Sequence, residues 1–129
     1  MPIVRIAVRQ GRSPAEKKAM LEAVHSALVE ALRIPEDDRT QMLHEYEPPD
    51  FEIPPTKTER STLVEITMFP GRSLDAKRHL YQAIIQNLGL LGIAPEDLLI
   101  VLHEPAMENW GVRGGIPASE VDVSFKIDV

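Results

Sequence analysis

The sequence predicts a single two-layer α/β domain, in which two tandem β-α-β units form one four-stranded mixed sheet with both helices on one face. Three observations predict it. First, the chain repeats itself: Val4, Ile6, Gly11, Arg12 and Ser13 return as Val64, Ile66, Gly71, Arg72 and Ser73, and Pro35-Glu36-Asp37 returns as Pro95-Glu96-Asp97, always 60 positions later. Leu43-His44-Glu45 returns as Leu102-His103-Glu104, one residue short of that offset. Second, each copy starts on strict apolar alternation and then switches to helical spacing. Third, each copy is long enough for a crossover connection, which parallel pairing of its two strands requires.

The elements follow in order. Val4, Ile6 and Val8 alternate with Arg5 and Arg9 as a first strand, and Val64, Ile66 and Met68 repeat it. Each strand runs into Gly-Arg-Ser, whose serine is placed as a helix N-cap, its hydroxyl oxygen accepting from the first free helical N–H groups. In the first unit Pro14 suits the first helical position and Glu16 completes a capping box. Met20, Leu21, Val24, Leu28 and Leu32 then share one helical face, as Leu80, Tyr81, Ile84, Ile85 and Leu88 do in the second unit, while Glu16, Lys17, Lys18 and Glu22 look outward. Ile34-Pro35 and Ala94-Pro95 are expected to stop the helices. Second strands follow over residues 41–46 and 98–104. Between the units, Pro48, Pro49, Pro54 and Pro55 forbid a helix and favour an extended connector. The single domain therefore spans 1–129, with repeats over 2–50 and 61–110 and an extension over 111–129. In that extension Gly111, Gly114 and Gly115 mark turns, and Val121, Val123, Phe125 and Ile127 alternate as a terminal edge strand.

Composition narrows the function. A net charge of −6 and a pI near 5.2 argue against nucleic-acid or anionic-membrane partners, which are bound by clustered Lys and Arg. Without cysteine there is no disulfide, no thiolate nucleophile and no Cys-based zinc site. No basic-then-apolar leader and no apolar run of membrane-spanning length occurs, so a cytoplasmic protein is expected. His44-Glu45 and His103-Glu104 are weak metal signals, because neighbours on a strand point to opposite faces; no metal and no cofactor are expected. The sheet face opposite the helices keeps apolar residues, so self-association is expected.

Pro2 directly follows Met1. A small residue there normally permits removal of the methionine, which would leave a secondary amine at the start of the first strand; otherwise Pro2 simply opens that strand, where a missing N–H costs little. Pro2, the strand, Gly-Arg-Ser heading a helix, the doubled β-α-β and Asn109-Trp110-Gly111-Val112-Arg113-Gly114-Gly115 together resemble the tautomerase superfamily across nearly the whole chain. Length and residues 34–41 are most similar to its malonate semialdehyde decarboxylase branch.

The resemblance implies a catalytic Pro2 nitrogen, made neutral and basic by a site that disfavours its charged form. It implies Arg72 as the cation for a carboxylate or an enolising carbonyl, with Arg12, its counterpart in the first unit, as a further substrate-binding candidate. Asp38 matches the aspartate that works beside the proline, Trp110 the aromatic that walls the pocket, and Arg113 and His25 are additional substrate-binding candidates. A hydrogen-bonded structural histidine is the competing account of His25, and an interface anchor that of Trp110. One departure stands out: Phe69 and Pro70 occupy the place where decarboxylase-like members carry an extra arginine, so a second cationic contact is missing. The expected function is cofactor-free keto-enol tautomerisation of a small 2-oxo or enol carboxylic acid in a homotrimer. The alternatives are a malonate semialdehyde decarboxylase or hydratase and, from another class, an inactive trimeric binding module.

Overall fold

The structure, a computed structural model, describes residues 2–122. β1 (Ile3–Arg9), α1 (Pro14–Leu32) and β2 (Thr40–Tyr46) form the first unit; β3 (Thr62–Thr67), α2 (Leu74–Gly89) and β4 (Leu98–His103) form the second. The sheet order is β2-β1-β3-β4, with β1 parallel to β2, β3 parallel to β4, and β1 antiparallel to β3 at the centre. The mixed sheet thus comes from joining two parallel pairs back to back. Val4 faces Ile66 and Ile6 faces Val64, so a pseudo-twofold axis passes beside the Arg5–Glu65 pair and exchanges the repeats.

The apolar pattern builds the core as its spacing requires. Val4, Ile6, Val8, Val64, Ile66 and Met68 point from the sheet into the helices and are fully or almost fully buried. Met20, Val24, Leu28 and Leu32 of α1 and Leu80, Ile84 and Leu88 of α2 meet them, each burial worth about 1.5–3 kcal/mol. Leu21, Tyr81 and Ile85 stay half-buried at the margin of this face. Both serine caps form: Ser13 Oγ accepts from Glu16 N and Ser73 Oγ from Ala76 N, each at 3.1 Å. Lys17 and Glu16 are not simply outward. Lys17 pairs with Glu45 at 2.7 Å, repeated as Lys77 with Glu104 at 2.7 Å, and the Glu16 carboxylate lies between Arg12 and Arg60.

One helix boundary differs from the sequence expectation. α2 stops at Gly89, before Ala94-Pro95, because Leu90, Leu91 and Gly92 turn the chain and Gly92 takes a left-handed φ of 86°. α1 does stop beside its Ile34-Pro35, with Arg33 as a left-handed cap. After β4 the chain makes a hairpin, β5 (Gly111–Val112) and β6 (Ile116–Pro117), as the glycines predicted; of the terminal strand expected over residues 121–128, Val121 and Asp122 form no strand and the rest lies outside the described residues. No described helix is long and apolar enough to cross a membrane.

Among the described residues, no helix covers the other face of the sheet. Met42 and Leu99 remain 39% and 62% exposed there, around a central Arg5, Glu65 and His103, with His103 Nε2 3.2 Å from Glu65.

Candidate active site

Antiparallel pairing of β1 and β3 decides which residues meet. Ile3 lies opposite Thr67 and beside Thr40, so the start of β1, the start of β2 and the end of β3 share one end of the sheet. Pro2 precedes β1, Asp38 precedes β2 and Arg72 follows β3: the three catalytic candidates gather at that end although 70 residues separate the outer two. Pro2 is buried and Asp38 half-buried.

Arg72 is held by its turn. Gly71 adopts a φ of 124°, open to glycine and strained for other residues, and matches Gly11 at 125° in the first unit. The chain then folds back so that Arg72 Nη1 donates to the Phe69 carbonyl at 3.0 Å, in a side chain whose residue is only 7% exposed. Burial pulls the proton affinity of this guanidinium down, while the negative charges of Glu104 and Asp38 oppose that shift. Asp38 and Arg72 therefore act on each other electrostatically across the end of the sheet. The guanidinium remains a cation, suited to an anionic or polarisable oxygen.

Trp110 reaches the same end. It follows a short 3-10 turn, Met107–Asn109, donates from Nε1 to the Pro105 carbonyl at 3.2 Å, and meets Phe69 edge to face with ring centroids 4.9 Å apart. Phe69, Val112 and Ala118 form a second small core that pins the hairpin to the Arg72 turn. This gives the departure at Phe69 a physical reason: the position holds a buried aromatic anchor instead of a second cation.

Of the remaining candidates, Arg12 is not brought together with these. Arg12 sits at the opposite end of the sheet, past a seven-residue strand about 20 Å long. Its side chain is 5% exposed and engaged by Glu16 at 3.3 Å and by the Arg60 carbonyl at 3.4 Å. Arg113, at the hairpin turn with a φ of 48°, donates to the Asp122 carbonyl at 2.9 Å. His25 is 5% exposed on α1; its Nε2 lies 2.8 Å from the Glu36 carbonyl and its Nδ1 is enclosed. Neither ring nitrogen is offered to a ligand, which supports the structural account of this residue. His44 stacks on Tyr46 on the open face while Glu45 pairs with Lys17 beneath the helix, the opposite orientation that strand geometry required. Among the described residues, no cluster of His, Asp and Glu is arranged to hold a metal ion.

One feature was missed in the sequence. Carried past Glu45, the 59-residue offset takes the 3-10 turn Pro48–Asp50 to Met107–Asn109 and Phe51 to Trp110. Aromatic character at both positions was the available signal. Trp110 is thus the second copy of a repeated aromatic that closes each unit.

Comparison with known proteins agrees. A family model described as "Tautomerase enzyme" matches residues 38–113, and a second of the same description matches residues 2–56. The chain belongs to the tautomerase family. Among curated relatives of this tautomerase, the probable tautomerase YusQ of Bacillus subtilis is 29% identical over 121 residues, covering 89% of this chain and 95% of the relative. Among solved structures, FG41 malonate semialdehyde decarboxylase inhibited by 3-bromopropiolate superposes with a TM-score of 0.83 at 28% identity, covering 94% of this chain and 98% of the other. A fused 4-OT symmetric trimer superposes at 0.80 with 27% identity, covering 91% and 96%. The chain is therefore an enzyme of isomerase type on a shared tautomerase scaffold.

Proposed function

We propose that this tautomerase interconverts the enol and keto forms of a small 2-oxo carboxylic acid without a cofactor, using the Pro2 nitrogen after loss of Met1. The observation that carries the reading is the convergence of Pro2, Asp38 and Arg72 at one end of the sheet. A neutral Pro2 nitrogen accepts the enol hydroxyl proton as the carbonyl forms, and the pyrrolidinium then delivers that proton to the adjacent carbon. Arg72 holds the carboxylate or the oxygen that gains charge, Asp38 orients the proline, and Trp110 with Phe69 excludes water.

A decarboxylase or hydratase acting on malonate semialdehyde is the second reading, favoured by the similarity to malonate semialdehyde decarboxylase and by the charge interaction of Asp38 with Arg72. There Asp38 would direct water. In either reading the enzyme works as a homotrimer, its uncovered sheet faces meeting one another, in keeping with the trimer formed by the fused 4-OT relative.

Intact-protein mass shows whether Met1 is gone. Pro2→Ala is expected to abolish most turnover of an aryl-pyruvate enol, and full activity in that variant would overturn the proline mechanism. Release of carbon dioxide from malonate semialdehyde separates the second reading from the first, and light scattering at micromolar concentration that returned a monomer would refute the trimer.

A further inference from the structure

The segment between α1 and β2, which carries Asp38, and the start of β2 are tied to the helix below them. His25 Nε2 meets the Glu36 carbonyl at 2.8 Å, Arg39 pairs with Glu22 at 2.7 Å, and Gln41 donates to the Leu21 carbonyl at 3.1 Å. A carbonyl oxygen only accepts, so the His25 proton belongs on Nε2 and the enclosed Nδ1 is the bare nitrogen. A buried ring with one polar contact fixes its partner far more tightly than an exposed pair such as Arg39–Glu22 does.

The repeat shows that this tie is particular to the first unit. The equivalent carbonyl in the second unit, that of Glu96, accepts from Lys57 of the connector, and Thr58 beside it binds Asp97. There the donor comes from a strand of chain laid across the loop. At the position equivalent to His25 stands Ile85, and at that of Glu22 stands Gln82. In the first unit the donor comes from beneath, so the outer side of the loop is not crossed by the residue that anchors it. The loop with the catalytic aspartate is held from the core side, while the loop with Leu98 in its place is strapped from outside.

We propose that His25 is a positioning residue: its hydrogen bond to the Glu36 carbonyl sets the height of the 35–39 loop and so places the Asp38 carboxylate against Pro2 and Arg72. This rests on the reading in which Asp38 works beside Pro2. Within the loop, Asp38 N donates to Pro35 O at 3.1 Å and Arg39 N to Asp37 O at 3.0 Å, bonds that fix its shape and not its distance from the sheet. Misplacement of a working group by about 1 Å is enough to cost on the order of 100-fold in rate, so a partial loosening costs less but is readily measured.

The test compares His25→Leu, His25→Gln, Asp38→Asn and the His25→Leu/Asp38→Asn double variant in the full-length protein. Readouts are kcat and KM on an aryl-pyruvate enol and on malonate semialdehyde, with amide hydrogen exchange at residues 36–39. His25→Leu is expected to lower kcat about 10-fold with KM within about 2-fold, to speed exchange at Asp38 and Arg39, and to cause no further loss once Asp38 is Asn. His25→Gln, whose amide N–H has similar reach, is expected to recover most of the rate. The proposal is overturned if His25→Leu costs the same factor in both backgrounds, or if exchange and kcat are unchanged. Full kcat in Asp38→Asn would instead bring down the reading beneath it, and is told apart because failure of the proposal alone leaves that variant impaired. If His25→Leu does not fold, His25→Asn, too short to reach the carbonyl, carries the same comparison.

Discussion

The two ends of the sheet are copies of one another, and only one carries the groups of the proposed mechanism. At one end stand Pro2, Asp38, Arg72 and Trp110; the pseudo-twofold axis carries these onto Thr62, Leu98, Arg12 and Phe51 at the other. The far end still has a cavity of about 210 Å³ lined by Phe51, Thr62 and Leu98 among others. Its Thr62 nitrogen is locked in a peptide, and Leu98 offers no carboxylate. Arg12 is also differently used: Glu16 lies one helical turn on, and Arg60 crowds the same carboxylate at 3.0 Å, whereas Ala76 occupies the place of Glu16 beside Arg72. Burial lowers the proton affinity of both arginines, but at Arg12 the like charge of Arg60 adds to it and Glu16 and Glu45 offset it locally. Duplication therefore supplies the scaffold twice, and a handful of side chains distinguishes the copies: at one end they form the proposed site, at the other they are engaged in internal structure.

The largest effect expected from this contrast is on rate. In the proposed mechanism Arg72→Ala removes the cation that faces developing negative charge, and it is expected to lower kcat/KM by about 100-fold or more, as loss of an oxyanion-stabilising contact does elsewhere. Arg12→Ala, the same change at the twin position, should leave kcat/KM within about 3-fold and act on stability instead, because it strips the buried side of the Glu16 network. Steady-state kinetics of the two variants on one substrate decide the matter. Equal losses would mean that both ends work.

Most of the scaffold was legible because its signals are local. The alternation of Val4, Ile6 and Val8, the Ser13 and Ser73 caps and the apolar face from Met20 to Leu32 each depend on neighbours within a few residues, and the 60-residue offset doubled every signal. The end of α2 was misplaced because Gly89 and Gly92 together outweigh the later proline: helix propensity fails there before Pro95 is reached. The site was legible only through family resemblance. Nothing local says that Arg72 shares an end of the sheet with Pro2 and that Arg12 does not; that follows from the antiparallel β1–β3 register, a contact between residues about 60 apart. Phe69 illustrates the limit, since its role as anchor for Trp110 is visible only once the hairpin has folded back onto the turn.

A smaller contrast concerns the acidic loops. Asp37 is exposed, but its counterpart Asp97 is 4% exposed and accepts from Thr58 N at 2.9 Å and from the Thr58 hydroxyl. These hydrogen bonds hold the Asp97 carboxyl below its ordinary value. Asp97→Ala should therefore cost about 2 kcal/mol in urea unfolding at neutral pH, and Asp37→Ala under about 0.5 kcal/mol. The sign of the pH dependence follows from the lowered folded-state value. Between the two values the unfolded chain binds the extra proton, so the stabilisation is complete above the ordinary carboxylate value of 3.8 and is lost as pH falls through the folded one. The gap between wild type and Asp97→Asn should accordingly narrow as unfolding is followed from about pH 5 downward; a gap that stays constant would remove Asp97 as the strap.

The smallest effect lies where the two helices end. α1 closes on Arg33 with φ 56° and ψ 37°, its N–H bonded to the Val29 carbonyl at 3.0 Å, whereas the chain after α2 gives the left-handed step to Gly92. A non-glycine residue in that region costs about 1–2 kcal/mol, against which glycine costs about 0.5–1 kcal/mol in unfolded-chain entropy. Arg33→Gly should thus stabilise the protein by about 0.5 kcal/mol, a rise in Tm of about 2 °C. The mirror change, Gly92→Ala, should destabilise it by about 1 kcal/mol, and because an added Cβ there would meet nothing within 4 Å, that loss is backbone strain alone. Opposite signs in calorimetry would show that the two units solve one turn with different residues. A loss in both variants would mean that the Arg33 side chain contributes packing that outweighs its strained backbone.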